Sequence, residues 1–99
     1  MWLLTKDNFA INLATGAKLY VTDLPVSRFK AICLVLPGEK EMRIWHEGNI
    51  EAYLAEEDRV SKVSIYDVFG ELVGCLRRGD GFREIGEVVE LAITAINLE

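Results

Sequence analysis

The chain has 99 residues, of which 51% are hydrophobic and 27% are charged, and this composition excludes an intrinsically disordered protein. Its length fits one domain, residues 1–99, with a single core. The net charge of −5 keeps a small protein soluble and opposes binding to nucleic acid or to an anionic membrane surface.

The first part of the chain is expected to form β-strands. Residues 2–5 are a short apolar strand that ends in a turn over residues 6–8. Residues 9–13 alternate between apolar and polar side chains, which is typical of a half-buried strand. A second turn at residues 14–16 then leads into a third strand, residues 18–22.

Residues 29–36 are the most apolar of the predicted strands. Lys30 places one face toward water near the start of the strand. Four side chains on the other face are then predicted to point inward: Phe29, Ala31, Cys33 and Val35. Three apolar side chains share the face of the lysine: Ile32, Leu34 and Leu36. The strand is therefore expected to be covered on both sides or to pair centrally in its sheet.

A hairpin is predicted next, with its loop at residues 37–40 and its returning antiparallel strand at residues 42–46. Residues 49–58 favour a short helix, because Asn49 is a good N-cap residue. Three apolar side chains share one face of that helix: Ile50, Tyr53 and Leu54. A strand over residues 50–54 is the alternative.

Residues 63–68 and 71–76 are predicted to be two further strands, joined by a turn at residues 67–70. In the second of them, Cys75 shares its face with charged neighbours and is expected to be partly exposed. It would then be the more reactive thiol, whereas Cys33 would be buried and reduced.

The clearest element is a helix over residues 84–98, with Asp80 or Gly81 as its cap, because apolar residues recur there every three or four positions. Four of them form a line that is expected to lie on the sheet: Ile85, Val89, Ala92 and Ile96. Three more lie to the side of that line: Leu91, Ala95 and Leu98. The polar stripe is predicted to face water: Glu84, Glu87, Glu90, Thr94 and Asn97.

This element order predicts an α+β fold. We expect an antiparallel, strongly bent sheet or partly open barrel of about six to seven strands, with one C-terminal amphipathic helix and the short middle helix as an optional element. The layout resembles the pleckstrin-homology-like architecture. Residues 2–5, 7–8 and 11–13 are also similar to the start of small bacterial proteins of unassigned function.

Neither similarity carries a catalytic motif, so the resemblance implies no site residues. Where the pleckstrin-homology-like architecture binds phosphoinositides, it uses a basic loop near the first strands. Here that region contains only Lys6 and Lys18, which argues against binding of a lipid headgroup. The start of the chain does not match a signal peptide, and no apolar run approaches the roughly 20 residues of a membrane helix. A cytoplasmic location is expected.

Few residues suggest chemistry. His46 is the single histidine, and Glu47 would not orient it on a strand, where adjacent side chains point to opposite faces. One histidine and two distant cysteines do not have the spacing of a zinc site, and no metal or other cofactor is expected. The aromatic residues could line a ligand groove or belong to the core: Trp2, Trp45, Tyr20, Tyr53 and Tyr66.

Residues 77–84 combine three arginines with two glycines ahead of the last helix. Arg77, Arg78 and Arg83 could bind a small anion beside the helix N-terminus, or they could be solvated residues of a glycine turn. The dinucleotide-binding pattern fails, because its third glycine position is Glu84.

Two main functional hypotheses follow. The first is a non-enzymatic interaction or assembly domain with a protein partner, expected to be a homodimer that uses Leu91, Ala95 and Leu98. The alternative is a module that binds a small anion or ligand through Arg77, Arg78 and Arg83. An enzyme that depends on His46 is the third hypothesis and has the least support.

Overall fold

The computed structural model describes residues 1–6, 9–16, 18–38 and 40–98. In this part of the chain it contains six strands and three α-helices. The strands are β1 (Trp2–Lys6), β2 (Phe9–Asn12), β3 (Lys18–Asp23), β4 (Lys30–Val35), β5 (Glu41–His46) and β6 (Phe82–Glu84). The helices are α1 (Glu47–Glu56), α2 (Ile65–Arg78) and α3 (Ile85–Asn97). The chain forms a small α+β domain, as predicted.

The strands form two three-stranded sheets. In the first, β1 lies between β2, which is antiparallel to it, and β6, which is parallel to it. In the second, β4 lies between β3 and β5, and both pairs are antiparallel. The sheets do not close into a barrel, so two separate sheets replace the single bent sheet or partly open barrel that was expected.

The first five strands were predicted from the sequence with bounds close to those observed. The predicted turn at residues 6–8 includes Asp7 and Asn8, which lie outside the described residues, as does Glu39 in the predicted hairpin loop. Gly38 in that loop has a φ of 87°, a conformation that glycine adopts without strain.

Strand β4 is central and buried on both faces, as its apolar sequence predicted. Its orientation differs from the expected one: Ile32 and Leu34 point into the main core, while Ala31 and Cys33 lie on the opposite face. Across that face, the Tyr20 hydroxyl of β3 donates a hydrogen bond to Glu41 of β5. The presence of Lys30 at the start of one face therefore did not identify the side that faces water.

The two strands predicted at residues 63–68 and 71–76 are wrong, because this region forms the single helix α2. Its buried residues recur at helical spacing: Ile65, Val68, Leu72 and Cys75. The Ser64 hydroxyl accepts a hydrogen bond from the Asp67 N–H, and the Asp67 carboxylate accepts one from the Ser64 N–H. This reciprocal capping box fixes the start of the helix. Gly79, with a φ of 76°, caps its end.

Helices α1 and α3 were both predicted. α3 begins directly after β6, however, and not at Asp80 or Gly81, so the predicted cap is wrong. Three residues of the predicted line, Ile85, Val89 and Ala92, are buried, but Ile96 is only partly buried. Ile93 is buried although the predicted face omitted it.

The core lies between α2 and α3 on one side and the strands on the other. β1 contributes Leu3 and β4 contributes Ile32 and Leu34. The two long helices contribute most of the remaining fully buried side chains: Ile65, Val68, Leu72, Val88 and Val89. α1 packs at the edge through Ile50, which leaves much of its surface free to border a cleft.

Candidate functional site

A cleft of about 470 Å³ opens between α1 and the region where β1 and β6 meet the start of α3. This volume is within the range of small-molecule sites. The strands contribute Leu4, Thr5 and Trp45 to its lining. The other lining residues come from α1 and from the junction of β6 with α3: Asn49, Ala52, Tyr53, Glu56, Glu84, Ile85 and Gly86.

The floor of the cleft carries two buried polar groups. Thr5 is 8% exposed and Trp45 is 6% exposed, and neither the threonine hydroxyl nor the indole N–H has a hydrogen-bond partner among the described residues. His46 Nδ1 is the one polar side-chain atom of the described chain that is both sealed from solvent and unpaired. Thr5 and Trp45 both line the cleft.

The side of the cleft formed by α1 is held in place by hydrogen bonds. The Asn49 side-chain oxygen accepts a hydrogen bond from the His46 N–H at 3.0 Å, which leaves the amide NH₂ of Asn49 without a described partner. The Tyr53 hydroxyl donates to Glu90, and Arg59 donates to the same carboxylate oxygen at 2.6 Å. α1 is thereby tied to α3 across one end of the cleft.

These contacts shift two pKa values in opposite directions. Burial, reinforced by the hydrogen bond to Glu90, raises the pKa of Tyr53 to about 12. Hydrogen bonds from Arg59 and Tyr53 lower the pKa of Glu90, because they stabilise its ionised form. At neutral pH the network therefore consists of a neutral phenol, a carboxylate and a guanidinium.

The sequence indicated part of this cleft. Trp45 and Tyr53 were among the aromatic residues considered for a ligand groove. The prediction that Asn49 is the N-cap of the helix is wrong: α1 begins two residues earlier, His46 is its N-cap, and Asn49 accepts a hydrogen bond from the His46 N–H from within the first turn. Thr5 was missed, because no local pattern relates β1 to residues 45–56. Thr5 comes close to residues 45–56 only in the folded protein, where β1 and α1 pack beside the start of α3.

His46 does not form a catalytic pair. Its ring stacks on Phe29 with 5.9 Å between ring centroids and an interplanar angle of 8°. The neighbouring Glu47 carboxylate accepts a hydrogen bond from the backbone N–H of Lys30 at 2.5 Å and so does not orient the imidazole. The sealed Nδ1 atom has no hydrogen-bond partner among the described residues, so none of them orients the ring as a general base.

The arginine segment runs from the end of α2 to the start of α3, not from a strand to a helix as the sequence suggested. Arg78 and Arg83 both approach one oxygen of Asp80, at 3.5 and 3.1 Å, and Arg83 also donates to Glu87 at 3.1 Å. Arg77 is exposed and takes no part in the ion pairs found among the described residues. The fold thus brings two of the three arginines together around a carboxylate of the chain itself.

The charge state of Asp80 agrees with this arrangement. Burial alone would raise its pKa, but the hydrogen bond from Arg83 and the charges of Arg83 and Arg78 outweigh that effect and lower it. Asp80 is consequently ionised at neutral pH. An external anion would have to compete with this carboxylate for both arginines.

The three residues predicted for an interface lie along one side of α3, which we call the outer stripe: Leu91, Ala95 and Leu98. Ala95 is exposed, Leu98 is 83% exposed and Leu91 is half-buried. None of the three belongs to the described core or to the partly buried residues packed against it. α1 contacts α3 through Glu90 and Gly86, which lie on another side of the helix.

A second apolar surface lies on the outer face of the first sheet. Trp2 of β1 and Phe82 of β6 are paired in register, and they are 50% and 54% exposed. Ala10 of β2 is paired with Leu4, two residues along β1 on the same face. This aromatic surface did not emerge from the sequence, since β6 was not predicted.

Both cysteines are free and buried. The prediction that Cys75 is partly exposed is wrong, because α2 turns its side chain into the interior. Burial raises the pKa of the Cys75 thiol, and burial together with the Glu41 carboxylate raises that of Cys33 to about 11. Neither thiol has the lowered pKa of a reactive cysteine.

In the part of the chain that the structure describes, no group of three or more histidine, cysteine, aspartate or glutamate side chains is placed to hold a metal ion. No described helix has the length and apolarity required to cross a membrane.

Comparison of the chain with models of protein families, with characterised proteins and with solved structures finds no match.

Proposed function

We propose that this protein is a non-enzymatic interaction domain that pairs with a second copy of itself through the outer stripe of α3. The observation that carries the proposal is that Leu91, Ala95 and Leu98 lie outside the core of one copy. A helix that packs on one side of a domain needs an apolar arc of only about 100°. α3 has apolar residues beyond that arc.

The spacing of the outer stripe suits contact between two helices. Leu91, Ala95 and Leu98 follow one another by four and three residues, so their side chains lie on the same side of α3. The small Ala95 lets a neighbouring helix approach closely, and the two leucines on either side supply apolar area. In a twofold dimer the same stripe meets itself, which makes the interface self-complementary.

Charge gives the proposed dimer a distinctive salt dependence. Each copy carries a net charge of −5, so two copies repel one another at long range. Salt screens this repulsion and strengthens apolar contacts only modestly at moderate concentration. Association through the outer stripe should therefore become stronger as ionic strength rises, the opposite of an interface held by ion pairs.

Anion binding at residues 77–83 is the alternative hypothesis, and the geometry favours it less. Asp80 already accepts hydrogen bonds from Arg83 and Arg78. An enzymatic role for His46 has less support still, because its ring is stacked and its Nδ1 atom is unpaired. The proposal includes a cytoplasmic setting, since free, buried cysteines are typical of proteins in reducing compartments.

Sedimentation equilibrium at micromolar concentration tests the proposal. The wild-type protein should show a monomer–dimer equilibrium. This equilibrium should shift toward dimer as the salt concentration rises from roughly 50 to 500 mM, because the screening of surface charges increases strongly over that range. Leu91→Glu should shift it toward monomer by at least about tenfold, because it puts a charge into the apolar contact.

Asn97→Glu is the matched control. It adds the same charge to an exposed position of α3, six residues away and roughly 120° around the helix from Leu91. It should therefore leave the dimer in place. A wild-type protein that stays monomeric at every concentration and salt level contradicts the proposal. If Leu91→Glu and Asn97→Glu weaken the dimer equally, the outer stripe is not the dimer contact.

A further inference from the structure

The cleft beside α1 separates two kinds of polar group by depth. The groups on its buried floor, the indole N–H of Trp45 and the hydroxyl of Thr5, can donate hydrogen bonds and have no described partner. The acidic residues Glu56 and Glu84 line the same cleft but are exposed, so their carboxylates lie at its rim. The floor of the cleft therefore carries hydrogen-bond donors, and its rim carries negative charge.

The start of α3 adds to the donor character of the floor. Ile85 and Gly86, the first two residues of the helix, line the cleft. Backbone N–H groups in the first turn of a helix have no acceptor within the helix, and the helix dipole favours negative charge there. The free amide NH₂ of Asn49 is a further donor on the same lining. A carboxylate is the ligand group that such a set of donors suits.

The rim of the cleft favours a positively charged group on the ligand, in contrast to the floor. Glu56 and Glu84 would repel a ligand that carried only a carboxylate, and a cationic amine would relieve that repulsion. The cleft lining also includes apolar side chains, among them Leu4, Ala52 and Ile85. A matching ligand thus has a carboxylate, an apolar middle and an ammonium group at its other end.

From this arrangement we propose that the cleft binds a small ω-amino carboxylate, with its carboxylate on the floor and its ammonium group between the rim glutamates. The volume of about 470 Å³ accommodates a chain of several carbon atoms. This site is independent of the proposed dimer contact. Gly86 and Leu91 are five residues apart on α3, which places them about 140° apart around the helix.

Isothermal titration calorimetry with three related probes tests the proposal. The probe 6-aminohexanoate has both charged ends, hexanoate lacks the amine and hexylamine lacks the carboxylate. The wild-type protein should bind 6-aminohexanoate with one-to-one stoichiometry and should bind each truncated probe at least about tenfold more weakly, since each truncation removes one charged contact.

Four variants locate the site. Ala52→Phe should abolish binding, because Ala52 is an exposed residue of α1 that lines the cleft, so a larger side chain fills the space without entering the core. Ala55→Phe is the matched control on an exposed position of the same helix outside the cleft, and it should bind like the wild type. Thr5→Val, which keeps the side-chain shape, should weaken binding of both carboxylate probes about tenfold. Glu56→Gln should weaken binding of 6-aminohexanoate but not of hexanoate.

Thermal melting of each variant confirms that it is folded, so a loss of binding can be assigned to the cleft. Each of the following results would overturn a different part of the proposal. Absence of binding by all three probes to the wild-type protein overturns the proposal. Equal affinities for 6-aminohexanoate and hexanoate overturn the role of the rim glutamates. Binding that survives in a folded Ala52→Phe protein as well as in Ala55→Phe shows that the ligand binds elsewhere on the molecule.

Discussion

The two long helices are of similar length, 14 residues in α2 and 13 in α3, but they present their apolar residues differently. α2 concentrates its buried residues on one face: Ile65, Val68, Leu72 and Cys75. α3 buries five residues and still leaves Leu91, Ala95 and Leu98 outside the core. The buried residues of α2 account for its packing on the core, whereas α3 also carries the outer stripe that we propose contacts a second copy.

The ends of the two helices also differ. α2 has a capping box at Ser64 and Asp67 and a left-handed glycine at its other end, so both of its limits are encoded locally. α3 also has a capping box at its start, where the Glu87 carboxylate accepts a hydrogen bond from the Glu84 N–H, but it ends at Asn97 without a glycine. The C-terminal limit of α3 therefore depends more on tertiary packing, and a substitution at the C-terminal cap of α2 should have the clearer effect on stability.

The largest expected effect is the truncation of a buried residue of α2. Leu72 is fully buried in the core, so Leu72→Ala should lower the free energy of unfolding by about 2–5 kcal/mol through lost burial and the cavity left behind. The matched substitution Leu91→Ala on α3, measured at a concentration where the protein is monomeric, should cost about 1 kcal/mol or less. Urea denaturation compares the two. Similar losses would mean that both leucines contribute equally to the core and that the contrast between the helices is wrong.

A smaller effect is expected at the C-terminal cap of α2. Gly79 has a φ of 76°, which an L-amino acid with a side chain adopts at a cost of about 1 kcal/mol or more, so Gly79→Ala should destabilise the protein. Gly70→Ala, within the same helix, should do the reverse. A β-carbon at Gly70 meets no atom within 4 Å, and alanine is the better helix former by about 0.8–1 kcal/mol. Thermal melts of the two variants should shift in opposite directions, and a shift in the same direction would contradict the assigned helix.

The contrast between the helices also explains what the sequence could and could not predict. The first five strands were recognised, because alternating apolar residues and turn residues mark them locally. α3 was recognised because its wide apolar arc repeats over many turns. α2 was missed, because Val63 and Ile65 suggested a strand and the segment at residues 67–70 resembled a turn. The spacing of Ile65, Val68, Leu72 and Cys75, together with the capping box, was the signal that could have identified it.

Other features could not be read from any local pattern. β6 has only three residues, and it becomes a strand because Phe82, Arg83 and Glu84 pair with residues of β1 that lie 80 positions earlier in the chain. The cleft depends on the same pairing, which brings Leu4 and Thr5 to the start of α3. Likewise, the three arginines were visible in the sequence, but the position of Asp80 between two of them was not.

The smallest expected effect concerns the side of α3 that faces α1, where charged groups make the contact. The pKa of Glu90 is lowered in the folded protein by hydrogen bonds from Arg59 and Tyr53. A carboxyl group whose folded pKa lies below its unfolded value stabilises the protein at pH values above the unfolded pKa. That stabilisation is lost as the pH falls through the folded pKa. Both partners are partly exposed, so the contribution is reduced by solvent screening.

The test compares wild type and Glu90→Gln by urea denaturation between pH 7 and pH 2. At pH 7 the variant should be the less stable protein, and the difference should shrink as the pH falls below about 4.3, the usual pKa of a glutamate, and vanish at the acid end of the range. Glu87→Gln, on the same helix and bound to Arg83 rather than to α1, is the control for a general effect of removing one charge. If the two variants show the same pH dependence, the contact with α1 contributes nothing specific. If only Glu90→Gln loses the pH-dependent stability, α3 is held to α1 by this contact, while its outer stripe is left for a partner.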